Sequence, residues 1–329
     1  MHYFVTGASG FLGGYVTSHL LAEGHAVTAL VRTREQAKAL AAYGVHPHLG
    51  DLLDRDSLRR GMRRVDGVFH LAAFHRYAGR RYRKVAHAVN VIGTRNVLEI
   101  IAELGVPRGV YTSDVEVFSD TRGRVADEGT HHDGRHLSVY AATKAEALHR
   151  VAMPMMRRGL PLVVVVPGTV YGPGDTGRFG LMMARHLRGR VPFVPTRTAR
   201  CWAHASDVAW AHLQAMQRGR AGEAYVLAGP PHTLREVLGA TGRLSGKRGA
   251  PLPVPGVALR PVAAAAGLLG WVAPPLHGTA ERLRTIAGVT FLADSAKAAE
   301  ELGFDPRPLE EGLPDTVRAL LAELMETVK

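Results

Sequence analysis

Tyr140 and Lys144 are the two residues of this sequence whose types and spacing most directly promise chemistry. Four positions apart on a helix, they share one face. A cation beside a phenol lowers the phenol's pKa, and the same ammonium can hold a ribose hydroxyl. A tyrosine so placed exchanges a proton with a hydroxyl or carbonyl oxygen while a hydride moves to or from a nicotinamide. A Y-x-x-x-K spacing arises often by accident, so its weight depends on the rest of the chain. That support begins at residue 1. Met1 to Val5 is a short apolar run, Thr6-Gly7-Ala8-Ser9-Gly10-Phe11-Leu12-Gly13 follows, and Val16, Leu20 and Leu21 recur at helical spacing. Strand, glycine turn and helix form the setting of a dinucleotide-binding loop. The glycines let the turn close and bring N–H groups against a pyrophosphate at the positive end of the helix.

The end of the second strand bears on which dinucleotide is held. In folds of this kind an acidic residue there bonds the ribose 2′-hydroxyl of NAD. Here Ala26 to Val31 runs into Arg32-Thr33-Arg34 with no acid in reach. Arg32 suits a 2′-phosphate, so NADP is expected over NAD. Asp51 and Leu52, at the exit of the strand starting at His46, are placed for the adenine amino group, although Asp51 could equally cap its turn.

These residues need a scaffold. Through the first half, strands and helices alternate regularly, which argues for an α/β fold of Rossmann type, a doubly wound parallel sheet. The expected helices are Arg34–Tyr43, Ser57–Arg63, Val85–Leu104 and Tyr140–Arg157, and the expected strands Val68–Ala72, Gly109–Thr112 and Leu162–Val166. The last is purely aliphatic, as a strand buried on both faces should be. After Pro167 the pattern changes, with a helix at Ala205–Gln217, a strand at Ala224–Leu227, a loop or lid over Gly246–Pro255 and a closing helix from Leu313. The expected division is a cofactor domain of 1–167, with 200–228 folding back onto it, and a smaller α/β substrate domain of 168–199 and 229–329.

At this point the chain resembles the extended short-chain dehydrogenase/reductase family, nearly end to end. Besides the glycine turn and Tyr140/Lys144, the motifs are His70-Leu71-Ala72-Ala73, Asn90-Val91-Ile92-Gly93-Thr94-Arg95-Asn96-Val97, Pro167-Gly168-Thr169-Val170-Tyr171-Gly172-Pro173-Gly174-Asp175 and His204-Ala205-Ser206-Asp207-Val208-Ala209. Leu302-Gly303-Phe304 and Pro306-Arg307-Pro308-Leu309 look like family signatures too. The resemblance implies cofactor contacts from Gly7, Ser9, Gly10, Phe11, Leu12, Gly13, Leu71, Ala72, Ala73, Tyr140, Lys144 and Pro167. It also implies dimers built through helices Val85–Leu104 and Tyr140–Arg157. The family includes dihydroflavonol-reductase-like carbonyl reductases, 3β-hydroxysteroid dehydrogenases, and nucleotide-sugar epimerases and dehydratases.

One departure bears on the reaction. Where the family carries a catalytic Ser or Thr, counting back from Val117-Phe118 reaches Asp114, with Ser113 just before it. An ionised Asp114 accepts a hydrogen bond but donates none, and its charge raises the pKa of a neighbouring Tyr140. Ser113 could take over the role, Asp114 could act as an acid or base itself, or turnover could be impaired. Dehydratases of the family carry T-D-E here. Glu116 falls on the Glu of that triplet, but Val115 replaces its Asp.

On the substrate side, the loop from Phe74 to Arg81 is basic, so His75 and Arg76 suggest a small and anionic substrate. Tyr171 is a further candidate for substrate contact. Arg200, seven residues before Asp207, matches the place of a pyrophosphate-binding arginine in the nucleotide-sugar branch, though Cys201 and Trp202 keep only part of that pattern and a surface salt bridge is an equal reading. His204 and Asp207 are expected to join the domains. An NADP-dependent ketone or aldehyde reductase leads, with a nucleotide-sugar epimerase or dehydratase and a non-catalytic NADP-binding protein as the other readings.

Composition excludes other classes. Charged residues make up 21% and hydrophobic ones 46% of 329, ordinary for a soluble globular protein. The formal charge is +12, and only Lys38, Lys84, Lys144, Lys247, Lys297 and Lys329 among 41 basic residues are lysine. The arginines are scattered and no nucleic-acid motif accompanies them, so no nucleic-acid partner is expected. His131, His132 and His136 lack supporting carboxylates or cysteines, and no metal is expected. A single cysteine, Cys201, excludes an internal disulfide and fits a cytoplasmic location, as does a first strand that opens at Met1. The apolar run Val262–Ala273, between Pro261 and Pro274, is too short to span a bilayer and reads as a lid, a subunit contact or a weak membrane contact.

Overall fold

The computed structural model describes residues 1–75, 82–130, 134–246, 249–269, 273 and 275–326. Its strands, in chain order, are β1 His2–Thr6, β2 Ala26–Val31, β3 His46–Leu49, β4 Gly67–His70, β5 Gly109–Thr112, β6 Val125–Ala126, β7 Leu162–Pro167, β8 Thr169–Tyr171, β9 Phe193–Pro195, β10 Ala199–His204, β11 Ala224–Leu227, β12 Pro231–Thr233, β13 Leu252–Val254 and β14 Thr290–Ala293. Seven of them form one parallel sheet in the order β11-β7-β5-β4-β1-β2-β3. The chain leaves β1 toward β2 and β3, then returns to β4 on the other side of β1. That reversal opens a crevice at the carboxyl ends of β1 and β4, where ligands of doubly wound sheets bind.

The sheet is buried on both faces, which its composition dictates. Every residue of β7 is buried, and its side chains alternate between two cores. Leu162, Val164 and Val166 join Phe4, Ile100 and Ile101 on one face, while Val163 and Val165 join Tyr3, Val5, Val16 and Leu213 on the other. A parallel strand covered on both sides has no polar face to present, hence its unbroken aliphatic run.

Two long helical stretches bring the catalytic candidates to the crevice. One runs through Arg83–His87, a π segment Ala88–Gly93 and Thr94–Leu104; the other through Val139–Ala147, a π segment Leu148–Ala152 and Met153–Arg157. Ser138 caps the second, its side chain accepting from the N–H of Ala141 at 3.0 Å. A second sheet runs in the order β12-β10-β14-β6, with β8 on β10. It forms a third core in which Tyr171, Phe179 and Trp202 pack against the helix Leu309–Glu326.

Two expectations about the second half change. Gly246–Pro255 is not simply a loop, because Leu252–Val254 is β13 and pairs with β9, with the N–H of Leu252 donating to the carbonyl of Pro192 at 2.9 Å. Proline is tolerated there because the pair is a two-stranded edge. Pro261, which precedes the apolar run, does not bound an element, since the helix Gly256–Leu269 passes through it.

Candidate active site

The glycine turn is shaped by close approach. Gly7 has φ of +82°, and a Cβ on it would lie 2.7 Å from the backbone nitrogen of Ala72 beyond β4. A Cβ on Gly13 would lie 2.0 Å from the carbonyl oxygen of Gly7. The N–H of Gly10 closes the turn on that same carbonyl at 2.9 Å. Gly10 caps the helix Phe11–Ala22 without any side-chain hydrogen bond, and its first turn carries no acid. Backbone donors at a helix start with no carboxylate competing for them suit a pyrophosphate. Around this cradle, Arg32 is exposed at the end of β2, where Thr33 starts the next helix by accepting from the N–H of Gln36. Asp51 caps its own turn, Oδ1 accepting from the N–H of Leu53 at 2.9 Å. Leu52 is buried, and Asn96 holds its carbonyl at 2.9 Å. Leu71, Ala72 and Ala73 are half-buried at the exit of β4, where the N–H of Ala72 donates to Thr6 Oγ1 at 3.3 Å. Ser9 is exposed, Phe11 and Leu12 half-buried, and Pro167 closes β7. The residues present therefore fit a dinucleotide.

Across the crevice the tyrosine does not stand alone. Its hydroxyl donates to Asp114 Oδ2 at 2.8 Å, and Asp114 Oδ1 accepts from the N–H of Glu116 at 2.8 Å, capping the short helix Val115–Phe118. Burial pushes the Asp114 carboxyl up to about 6, and the charge of Glu116 adds to the rise. Its bonds from Glu116 N–H and Tyr140, with the charge of Lys144, oppose it. Lys144 is 2% exposed, its ammonium donating to the carbonyl of Thr112 at 2.6 Å and lying 4.7 Å from the Tyr111 ring centre. Burial lowers its pKa to about 8, against the pull of Asp114. Ser113 is buried, its hydroxyl without a hydrogen-bond partner among the described residues, so nothing joins it to Tyr140.

Two of the substrate-side candidates lie elsewhere. Tyr171 is fully buried, edge-on to Trp202 and His204 and beneath Gly312, so it is core and not pocket wall. Arg200 is 2% exposed and turns inward. Its Nη2 reaches Glu116 Oε1 at 3.1 Å, the same oxygen that takes Arg178 Nη2 at 3.2 Å, and its guanidinium lies 4.1 Å from the Phe291 ring centre. A buried carboxylate between two guanidiniums is stable because each charge has a partner; removing one costs about 3–5 kcal/mol. His75 is exposed at the rim and within charge reach of the buried Asp175, whose carboxylate takes the N–H groups of Gly177 and Gly180 at 2.7 and 2.9 Å. Arg76 lies outside the described residues, as do His131 and His132. Among the described residues, no three His, Cys, Asp or Glu gather into a possible metal site. Asp207 binds Arg307 through both carboxylate oxygens, tying Ala205–Gln217 to the segment before the last helix.

Sequence reasoning missed two supports of the site. Asn90, in the first π segment, donates to Thr143 Oγ1 at 2.9 Å and accepts from the N–H of Phe74 at 2.6 Å, so one amide ties the loop after β4 to the Tyr140 helix. His70 lies between Thr6 and Thr94 hydroxyls at 2.7 and 2.9 Å, and burial, with the charge of Lys144, lowers its pKa to about 3. Asn90 stood inside a quoted motif; His70 closed β4 in another. What neither motif revealed is the partner.

Comparison with known proteins gives the same picture. Residues 3–228 match the model of the NAD dependent epimerase/dehydratase family. The 4-hydroxy-2-methyl-3-oxo-4-farnesyl-3,4-dihydroquinoline-1-oxide ketoreductase of Stigmatella aurantiaca is 33% identical over 324 residues, 97% of this chain and 96% of that protein. The 2-alkyl-3-oxoalkanoate reductase of Stenotrophomonas maltophilia is 32% identical over 249 residues, 72% of this chain and 74% of that one. The structure of the Thermus thermophilus UDP-glucose 4-epimerase in complex with NAD superposes with a TM-score of 0.75 at 26% identity, covering 98% of this chain and 99% of that chain. A parallel sheet with its strand order reversed beside a glycine cradle, and relatives matched along nearly the whole length, establish that this chain belongs to the NAD dependent epimerase/dehydratase family and is an enzyme that works with a nicotinamide dinucleotide.

Proposed function

We propose that the protein is an NADP-dependent reductase of a ketone or aldehyde, acting in either direction on a small and largely apolar molecule. The observation that carries this reading is the pairing of Glu116 with Arg200. A nucleotide-sugar dehydratase needs the glutamate free to take a proton, and the nucleotide-sugar branch needs the arginine free to meet a pyrophosphate. Here each neutralises the other, out of water. Tyr140, Asp114 and Lys144 stay together at the crevice. The two reductase relatives, one named for a farnesylated ketone and the other for an alkyl oxoalkanoate, support an apolar substrate in place of the anionic one expected from the basic loop.

When bound, a nicotinamide would supply or accept the hydride. Gly7, Gly10 and Gly13 would admit its pyrophosphate, and Arg32 would pair with the 2′-phosphate. Tyr140 gives its hydroxyl proton to the carbonyl oxygen as that oxygen gains charge. Asp114, 2.8 Å away, restores the proton when it is itself protonated and accepts it in the reverse direction. Lys144, held by Thr112, keeps a positive charge beside the developing anion. The chain divides as its topology suggests, the long parallel sheet for the cofactor and the second sheet for the substrate.

The test is a panel of apolar ketones and nucleotide sugars assayed with NADPH and NADH. NADPH is expected to be favoured in kcat/KM by about 10- to 100-fold, the value of one charge-assisted hydrogen bond, and Arg32→Ala to erase the preference. Conversion of a nucleotide sugar without net NADPH consumption would overturn the reading.

A further inference from the structure

We propose that the face built from the β9–β13 pair and the helix Gly256–Leu269 docks on an anionic lipid bilayer. The proposal is independent of the reductase reading, since it concerns a different surface.

The first observation is apolar area in an unusual place. Phe193 and Leu252 are register partners on the two strands, and each is more than half exposed. Beyond them the helix turns one apolar side outward. Val257, Ala258, Pro261, Val262, Ala265, Leu268 and Leu269 are all exposed, while Gly256 and Ala263 are buried beneath them. Their spacing is that of a single helix face continued over more than three turns. Leu268 is 72% exposed. An apolar face of this length, contiguous with an apolar strand pair, marks an interaction surface more than scattered leucines would.

The second observation identifies the partner. Residues 176–206 and 237–280, the two segments that meet in the β9–β13 pair, contain ten Arg and Lys and no Asp or Glu. Arg200 is buried and Arg178 half-buried against Glu116, but Arg188 and Arg190 are exposed just before β9, and Arg197 just after it. At the other end Arg284, also exposed, meets Gly267, where an added Cβ would lie 2.9 Å from its Nη2. Arg243 lies beside Gly239, which also touches Ala250, two residues before β13. Within these two segments, which end at Asp175, Asp207, Glu236 and Glu281, exposed apolar groups are accompanied by basic residues only, a pattern complementary to anionic headgroups over acyl chains. A nucleic acid would use the arginines but leave the leucines uncovered. No helix among the described residues is long and apolar enough to cross a membrane, so this face lies on the bilayer and not through it.

The experiment is co-sedimentation of the full chain with vesicles of phosphatidylcholine alone or mixed with phosphatidylglycerol. The protein is expected to pellet with the mixed vesicles and far less with the neutral ones, and to be released as salt rises. Arg188→Gln with Arg190→Gln weakens binding about fivefold for each charge removed. Val262→Glu with Leu268→Glu abolishes it while leaving the melting temperature unchanged, since both side chains are exposed. Failure to pellet with the mixed vesicles, or undiminished pelleting of the glutamate variant, would overturn the proposal. So would a dimer by light scattering that the glutamate variant converts to monomer, because a second copy would then cover the face.

Discussion

Asp114 concentrates what is particular about this enzyme. A half-buried carboxyl bonded to the Tyr140 phenol gives the site a titrating group that a serine would not. Its pKa lies near 6, raised from the ordinary carboxylate value by burial first and by Glu116 second. A raised value means the proton is held up to that pH and lost as pH rises through it. Ketone reduction, which needs a proton to deliver, is therefore expected to fall as pH rises through about 6, and alcohol oxidation, which needs an acceptor, to rise over the same interval. Lys144, lowered to about 8 by burial, sets the upper end, because oxidation declines once the ammonium deprotonates. Asp114→Ser is expected to flatten the lower step and to keep or raise reductase turnover at neutral pH, having removed the charge that competes for the Tyr140 proton. Rate profiles of both directions check this; an unchanged step in the serine variant would assign it to another group. The sequence showed that position 114 departs from its family, yet not where the carboxylate points. Its bond to Tyr140 spans 26 residues and depends on how β5 exits relative to a helix that Ser138 caps.

At the scale of elements, the site rests on contacts too close to admit a side chain. Gly13 is one, its position filled by the Gly7 carbonyl, while at Gly14 an added Cβ would meet only the Ala8 carbonyl oxygen at 4.0 Å. Gly13→Ala must shift the turn, costing about 1–3 kcal/mol, and is expected to weaken dinucleotide binding at least tenfold and lower Tm by a few degrees. Gly14→Ala next to it is expected to do neither, and fluorescence titration with differential scanning calorimetry separates the two. Elements of this half were legible because their signals are local: the aliphatic run of β7, the glycine turn, the helical spacing after Phe11. The second half was less so. Strands β8, β10, β12 and β14 are three to six residues long and draw their stability from pairing with distant segments, as Thr169 does with Trp202. Arg200 read as a surface or ligand-binding residue because its partner Glu116 is 84 residues away. Tyr171 sat in a motif of the site but is covered by a helix almost 140 residues later. No spacing rule reports such pairings.

In the whole molecule, two chemistries face different ways. On the reading proposed above, the end of the parallel sheet offers backbone donors and Arg32 to a dinucleotide, while Arg200 of β10 and Arg178 pair with Glu116. On the outside, the charge of +12 is unevenly held, with acid-free segments around an apolar helix face. An enzyme for apolar ketones gains from resting where such molecules concentrate, so the two readings fit together while failing separately. The central claim is net hydride transfer to a carbonyl. It is tested most directly with NADPH carrying deuterium at the transferable position, an apolar ketone, and mass spectrometry of the product. One deuterium per molecule of alcohol, lost with Tyr140→Phe, is the expected result. An isomerised or dehydrated nucleotide sugar with the cofactor's deuterium retained would contradict it.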